Sequence, residues 1–262
     1  MQHPDVSVII VNWNTREMTC ECIQSVYDQT TDASIEVVVV DNASSDNSSE
    51  AIREKFTDVI LIQNDTNKGF ATANNQAIRI ARGRYVLLLN SDTLILDRAI
   101  DKAVGFADSN PDIGILGCRL LNADRTLQPS CFMFPSILNM TLAATYLYKI
   151  FPKSRFFGRE HMTWWDRNDT RDVEAITGCF MLIRHGVFDA IGLLDEDYFM
   201  YGEETDFCFR SKKAGFRNVF IPQAQIIHYG GSSSDRIRIE MLLQTRASIL
   251  QFLRKQKGMF AY

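Results

Sequence analysis

The chain has 262 residues, enough for one large domain or two small ones with a sizeable core. Apolar residues make up 46% and charged residues 23%, a globular mix, and a net charge of -4 offers no basic field to grip nucleic acid. No apolar run reaches the roughly 20 residues that span a bilayer. Polar Met1 to Asp5 lead straight into a strand, so no signal peptide is expected. Six scattered cysteines (Cys20, Cys22, Cys118, Cys131, Cys179, Cys208) lack zinc-ligand spacing and read as thiols of a reducing compartment, with the cytoplasm as the expected location.

The first half alternates strand and helix. Val6 to Val11, Glu36 to Val40, Val59 to Ile62 and Tyr85 to Leu89 are short apolar runs of the kind that form buried parallel strands. Between them, Thr15 to Tyr27, Ser44 to Phe56 and Gly69 to Ala81 carry helical patterns. This predicts an α/β fold with right-handed crossovers, in which ligands sit outside the carboxyl ends of the strands. The polar clusters fall at those ends: Asn12 to Asn14, Asp41-Asn42 and Asn90 to Asp92.

The second half is mixed. Strands are expected at Gly114 to Leu121, Thr126 to Phe132, Val173 to Ile183 and Val219 to His228. Helices are expected at His185 to Ile191, Glu203 to Ala214 and Asp235 to Lys257. No repeat or low-complexity linker divides the chain, so one domain over 1–262 is expected.

Five constellations could carry chemistry. Asp92 could bind a hard cation through its carboxylate, or cap a helix beginning near Leu96. Asp41 could accept from a base or ribose, while Asp46 suits the capping of the following helix. Asn67-Lys68-Gly69, followed by Asn74-Asn75, opens a helix where a ligand could approach the backbone closely. Glu203, Glu204 and Asp206 begin a helix beside the aromatic run Tyr198 to Tyr201. Burial there would raise a carboxyl pKa and suit a general base, although Asp206 could simply pair with Arg210 four residues on. His228, before Tyr229-Gly230-Gly231-Ser232, could bind metal or diphosphate, or be structural.

Seven short segments occur together in one order: Val6 to Asn14, Val40 to Asp46, Asn67 to Ala71, Leu89 to Asp92, Thr177 to Arg184, Tyr201 to Arg210 and His228 to Ser232. In this the chain resembles the family 2 glycosyltransferases, and among them the rhamnosyltransferase-like branch of bacterial polysaccharide-synthesis enzymes. The resemblance implies a GT-A-type single domain with a nucleotide-sugar-binding half (1–97), an acceptor and catalytic half (98–234) and a C-terminal helix (235–262). It implies nucleotide contacts from Val11, Asn12, Asn14, Asp41, Asn67, Gly69, Asn75 and Ser91. It implies Mn²⁺ or Mg²⁺ held by Asp92 and His228, with Ser91 where some members carry a first acid. Glu204 stands where the family usually has the aspartate base, so the base is ranked Glu204, then Glu203, then Asp206.

The implied reaction is inverting transfer from a nucleotide diphosphate sugar, first choice dTDP-rhamnose, to a hydroxyl of a saccharide or lipid-linked saccharide. The alternatives are a nucleotidyltransferase, which would usually carry a glycine-rich loop after the first strand, and a non-catalytic nucleotide-sugar-binding protein. Between Pro135 and Arg159, aromatic residues interleave with Lys149, Lys153, Arg155 and Arg159, which suits peripheral contact with the inner face of the plasma membrane. A mobile lid or a homodimer surface is the alternative for this segment. The apolar positions of the last helix (Ile239, Leu242, Leu243, Ile249, Leu250, Leu253) suit packing on the core or on a second subunit.

Overall fold

The structure, a computed structural model, describes residues 3–230 and 238–258. In chain order, β1 (Val6–Asn12), α1 (Arg16–Gln29), β2 (Ile35–Asp41), α2 (Ser48–Lys55), β3 (Ile60–Gln63), α3 (Phe70–Ile78) and β4 (Tyr85–Asn90) form the alternating first part. β5 (Thr93–Leu96), α4 (Ala99–Ser109), β6 (Ile113–Leu121), β7 (Leu127–Gln128), β8 (Cys131–Phe132), α5 (Ile137–Ala144) and α6 (Leu147–Ile150) follow. Then come β9 (Arg171–Asp172), β10 (Ala175–Ile176), β11 (Phe180–Arg184), α7 (His185–Ile191), α8 (Glu203–Lys213), β12 (Arg217–His228) and α9 (Arg238–Phe252).

The main sheet runs β3-β2-β1-β4-β11-β6-β12-β5, with β7 added beside β6 and β9 beside β12. β3, β2, β1 and β4 pair in parallel, as do β6 and β12. β11 and β5 run antiparallel to their neighbours. Helices cover both faces, and two clusters of buried apolar side chains fill the layers. Valine and isoleucine dominate β1 and β2 because strands covered on both faces have no solvent side to make polar.

This order places a crevice at one edge of the sheet. β1 has β2 on one side and β4 on the other, so the chain direction of crossover reverses there. Register then aligns the ends: Asn12 lies opposite Asp41, and Val11 opposite Asn90. The start of β11, the start of β5 and the end of β12 reach the same edge, with His228 opposite Thr93.

Several sequence expectations are corrected. The helix expected from Ser44 begins at Ser48. Asn47 is left-handed at φ 62°, so residues 42–47 form a turn. No helix begins near Leu96 for Asp92 to cap, because Thr93–Leu96 is strand β5 and α4 starts at Ala99. Thr126 to Phe132 is two short strands in different sheets. Val173 to Ile183 breaks at Thr177 to Cys179, which lets the second piece pair with β4. Of the apolar positions expected to pack at this end of the chain, Ile249 and Leu253 do pack on the core, while Leu242, Leu243 and Leu250 are exposed. Residues 231–237, where the serine-rich turn and the expected start of the last helix fall, lie outside the described residues.

Candidate functional site

The ends of β1 and β2 are tied into one polar network. Asn12 Nδ2 donates to Asp41 Oδ1 at 2.7 Å and to Ser44 Oγ at 3.0 Å. Its Oδ1 accepts from the hydroxyls of Thr15 (2.8 Å) and Thr19 (2.7 Å). Asp41 also accepts from Ser49 Oγ at 2.9 Å, at the start of α2, and from the Ser44 amide. Ser91 Oγ joins through Thr15 Oγ1 at 3.0 Å. Both Asn12 and Asp41 are buried, so a network this complete fixes the strand ends relative to one another.

The flanking loop is shaped by backbone requirements. Asn14 is left-handed at φ 56°, and its Oδ1 accepts the Ser45 amide at 2.8 Å. Asp46 accepts from the first amide of α1, Arg16 N, at 2.9 Å, and from the amide and hydroxyl of Ser48. One carboxylate therefore serves the starts of two helices, where the dipoles favour negative charge. Val11 is half-buried at the same edge.

Asn67 is exposed, and its Oδ1 accepts from Asn42 Nδ2 (2.8 Å) and the Gly69 amide (3.0 Å). Gly69 has φ 82°, and a Cβ there would lie 2.7 Å from the Phe199 carbonyl oxygen, so no other residue fits. That carbonyl accepts the Phe70 amide at 2.9 Å, which joins α3 to the loop before α8. Asn75 strengthens the same joint. Its amide donates to Leu194 O (2.8 Å) and Glu196 (2.9 Å) and accepts the Leu194 amide (3.1 Å).

Asp92 and His228 meet at the centre of the edge, with Oδ1 to Nε2 at 3.3 Å. His228 Nδ1 lies 2.6 Å from Gln128 Oε1, an acceptor only, so Nδ1 carries a proton and Nε2 faces Asp92. Asn90 Nδ2 is 3.3 Å from the same Nε2, and Cys179 Sγ is 3.6 Å from each ring nitrogen. Burial opposes charge on this imidazole. The hydrogen bonds to Asp92 and Cys179 outweigh it and raise its pKa to about 10.

The helix α8 opens with three acids. Asp206 is fully buried and holds Arg210 Nε and Gln256 Nε2, both at 2.6 Å. Arg210 also donates to the carbonyls of Ile191 and Leu193, so the pair ties α8 to the loop after α7. Glu203 and Glu204 have no such partner. Burial pushes both carboxyls up, and the neighbouring Glu204 charge pushes Glu203 further. Glu204 Oε2 is buried with no hydrogen-bond partner, as is the Tyr198 hydroxyl. Such groups are uncommon in folded proteins, and Thr30 Oγ1, Glu160 Oε2 and Ser211 Oγ share the condition elsewhere in the fold.

The model of glycosyl transferase family 2 matches residues 7–192, which run from β1 through α7 and include Asp41 and Asp92. The chain belongs to glycosyl transferase family 2.

A family relative, the N-acetylglucosaminyl-diphospho-decaprenol L-rhamnosyltransferase of Mycobacterium tuberculosis, is 27% identical over 217 residues, 79% of this chain and 70% of its own length. The O-antigen biosynthesis protein RfbC of Myxococcus xanthus is 28% identical over 236 residues, 88% of this chain but only 18% of that larger protein. A Pyrobaculum calidifontis mannosyltransferase solved with GDP-Man and Mn²⁺ superposes with a TM-score of 0.61 at 21% identity, over 96% of this chain and 65% of its own. The fold is therefore GT-A-like, a mostly parallel mixed sheet with helices on both faces.

For a family whose neighbours are solved with a divalent ion, the fit of these residues matters. Among the described residues no group of three or more histidines, cysteines and acids could hold a metal by itself. A single carboxylate and imidazole, Asp92 and His228, do fit an ion that takes its remaining oxygens from phosphate and water. Ser91, where a first acid could stand, turns to Thr15 instead. Two neighbours of His228 escaped the sequence reading. Cys179 lay inside a recognised segment but was read only as a buried thiol. Gln128 gave no signal, since its contact crosses 100 residues of chain.

Proposed function

We propose that the protein is a metal-dependent, inverting glycosyltransferase that transfers a sugar from a nucleoside diphosphate to a hydroxyl of a saccharide or lipid-linked saccharide. The observation that carries this reading is the Asp92–His228 pair at the strand ends, and a second acid, Glu204, opens α8 with a buried Oε2 that has no protein partner. On this reading residues 1–97 hold the donor and residues 98–234 receive the acceptor. The order of preference for the donor is dTDP-rhamnose, then UDP- or GDP-linked hexoses, and the name of the mycobacterial relative supports the first.

Asp92 Oδ1 and His228 Nε2 would hold Mn²⁺ or Mg²⁺ in place of the proton that His228 otherwise keeps, with its Nδ1 proton held by Gln128. When bound, the ion supplies Lewis-acid stabilisation of the departing diphosphate. The protein's own residues do the rest. The strand-end frame around Asn12, Asp41 and Gly69 fixes the donor against rotation. Glu204 Oε2 accepts the proton of the acceptor hydroxyl while that oxygen bonds to the anomeric carbon and the bond to diphosphate oxygen breaks. A single displacement inverts the anomeric centre.

A peripheral membrane contact is part of this reading. Ile137 (59% exposed), Ile150 (69%), Tyr146, Phe151 and Phe156 are solvent-facing apolar residues in a segment that carries four basic side chains and no acid between Pro135 and Arg159. The segment adjoins the catalytic helix, since Phe134, three residues before α5, packs edge-on against Phe209 of α8 at 5.2 Å. Among the described residues no helix is long and apolar enough to cross a membrane.

The reaction is tested by incubating the protein and Mn²⁺ with each nucleotide sugar and a lipid-linked saccharide, then reading the product's anomeric configuration by NMR. Inverted product with one donor is expected. Retained configuration, or no turnover of any donor by folded protein, would reject the mechanism. Flotation with vesicles containing anionic lipid is expected, and its absence would remove the membrane contact alone.

A further inference from the structure

β6 and β7 form a short hairpin. Its turn is closed by backbone bonds from the Arg125 amide to Asn122 O and from the Asn122 amide to Thr126 O, both at 2.8 Å, with Arg125 left-handed at φ 65°. Pairing sets Gln128 opposite Leu120 of β6, and β6 runs beside β12 with Leu121 opposite Ile227. The Gln128 side chain thereby reaches the end of β12.

Four side chains of this hairpin make one chain of hydrogen bonds. Thr126 Oγ1 donates to Asp124 Oδ1 at 2.6 Å. Having given its only proton, that hydroxyl accepts from Asn122 Nδ2 at 2.8 Å. Asn122 Oδ1 is then the atom that accepts from Gln128 Nε2, at 2.9 Å. The same Nε2 donates to His228 O at 3.3 Å, so both hydrogens of the Gln128 amide are used. Gln128 Oε1 is left to face His228 Nδ1 at 2.6 Å. Two groups that can only accept, the exposed Asp124 carboxylate and the His228 carbonyl, thus fix the direction of every bond. Neither amide can turn over without setting donor against donor and acceptor against acceptor.

We propose that this hairpin is a positioning device for the candidate metal site: it fixes the His228 ring with a proton on Nδ1, so that Nε2 is the nitrogen offered beside Asp92. This rests on the reading of Asp92 and His228 as the ligands of the ion. Nε2 lies between Asp92 Oδ1 and Asn90 Nδ2, each at 3.3 Å. A ring turned over about its Cβ–Cγ bond would bring carbon to that place and lose the Gln128 contact. Gln128 and Asn122 are positioning residues, since both act through His228. Loss of such an outer partner of a metal-binding histidine generally costs about 10- to 100-fold in metal affinity.

The test measures Mn²⁺ affinity of the full-length protein by electron paramagnetic resonance, with a nucleoside diphosphate present and no acceptor, so that no turnover enters the readout. Q128L, Q128E and N122A are compared with wild type, with denaturant melts as the check on folding. Q128L offers nothing to Nδ1–H and is expected to weaken Mn²⁺ binding about 10- to 100-fold. Q128E restores the acceptor for Nδ1–H without the donors to Asn122 and the His228 carbonyl, and is expected to recover most of that loss. N122A is expected to fall between Q128L and wild type, because only the His228 carbonyl then orients the Gln128 amide. A folded Q128L that binds Mn²⁺ as wild type does would overturn the proposal. A Q128E as weak as Q128L would overturn it too, since a purely structural role would make the two alike. Unchanged affinity in N122A would overturn the chain as a unit, and that variant decides alone if Q128L does not fold. Wild type that binds no Mn²⁺ with any nucleoside diphosphate would instead strike the metal reading of Asp92 and His228, and this proposal with it.

Discussion

The strand ends and the start of α8 are built on opposite plans. At the strand ends and in α3, Asn12, Asp41, Asn42 and Asn75 all spend their polar atoms on other parts of the protein. At the start of α8, Glu203 and Glu204 place two carboxyls in a buried space, and Glu204 Oε2 and the Tyr198 hydroxyl are left without protein partners. A satisfied network holds its shape, and its loss is felt first in folding. An unsatisfied one weakens the fold, and such places concentrate where function uses them. The contrast teaches that the strand-end residues form a satisfied frame, while the start of α8 carries buried polar atoms that the protein itself does not satisfy.

The largest expected effect comes from the unsatisfied side. E204Q should reduce transfer by about 100-fold or more in a protein that still folds, because the amide cannot accept the acceptor proton. The wild-type rate should fall as pH drops through the raised Glu204 value, since only the ionised form accepts a proton. A flat acid limb in a rate profile would break this side of the comparison.

On the framed side, Asp41→Ala should cost about 2 kcal/mol of stability, as buried partners Asn12 and Ser49 lose their acceptor. Denaturant melts measure this, and a variant as stable as wild type would show that the network is not a frame. Asn75→Ala should cost less, about 1 kcal/mol, but should loosen the joint between α3 and the loop before α8. Increased hydrogen exchange confined to residues 192–202 would report it.

The smallest effect is a linkage. Glu203 binds its proton more tightly folded than unfolded, so folding takes up a proton above the ordinary value of 4.5. Stability from this group is present below that value and declines as pH rises toward the folded one. E203Q should flatten that decline, and an unchanged pH–stability curve would contradict a protonated Glu203.

The strand ends were legible in the sequence because their signals are local. Buried parallel strands appear as continuous apolar runs, and Asn12, Asp41 and Asn90 mark their ends directly. The pairing of Asp206 with Arg210 could also be anticipated from four-residue spacing. Strand β5 was hidden because four residues give too little periodicity to separate strand from helix. The start of α2 was hidden because Ser44, Ser45 and Asp46 all suit a cap, and only the three-dimensional turn selects among them. Gln128 reaches His228 through the sheet, a contact no local pattern encodes.

The most direct test of the central division measures nucleoside diphosphate binding by calorimetry, with Mn²⁺ and with EDTA, for wild type, Asp92→Ala and E204Q. Metal-dependent binding should be lost in Asp92→Ala and kept at wild-type affinity in E204Q. Loss of binding in a folded E204Q, or undiminished metal-dependent binding in Asp92→Ala, would contradict the assignment of donor and acceptor chemistry to the strand ends and the start of α8.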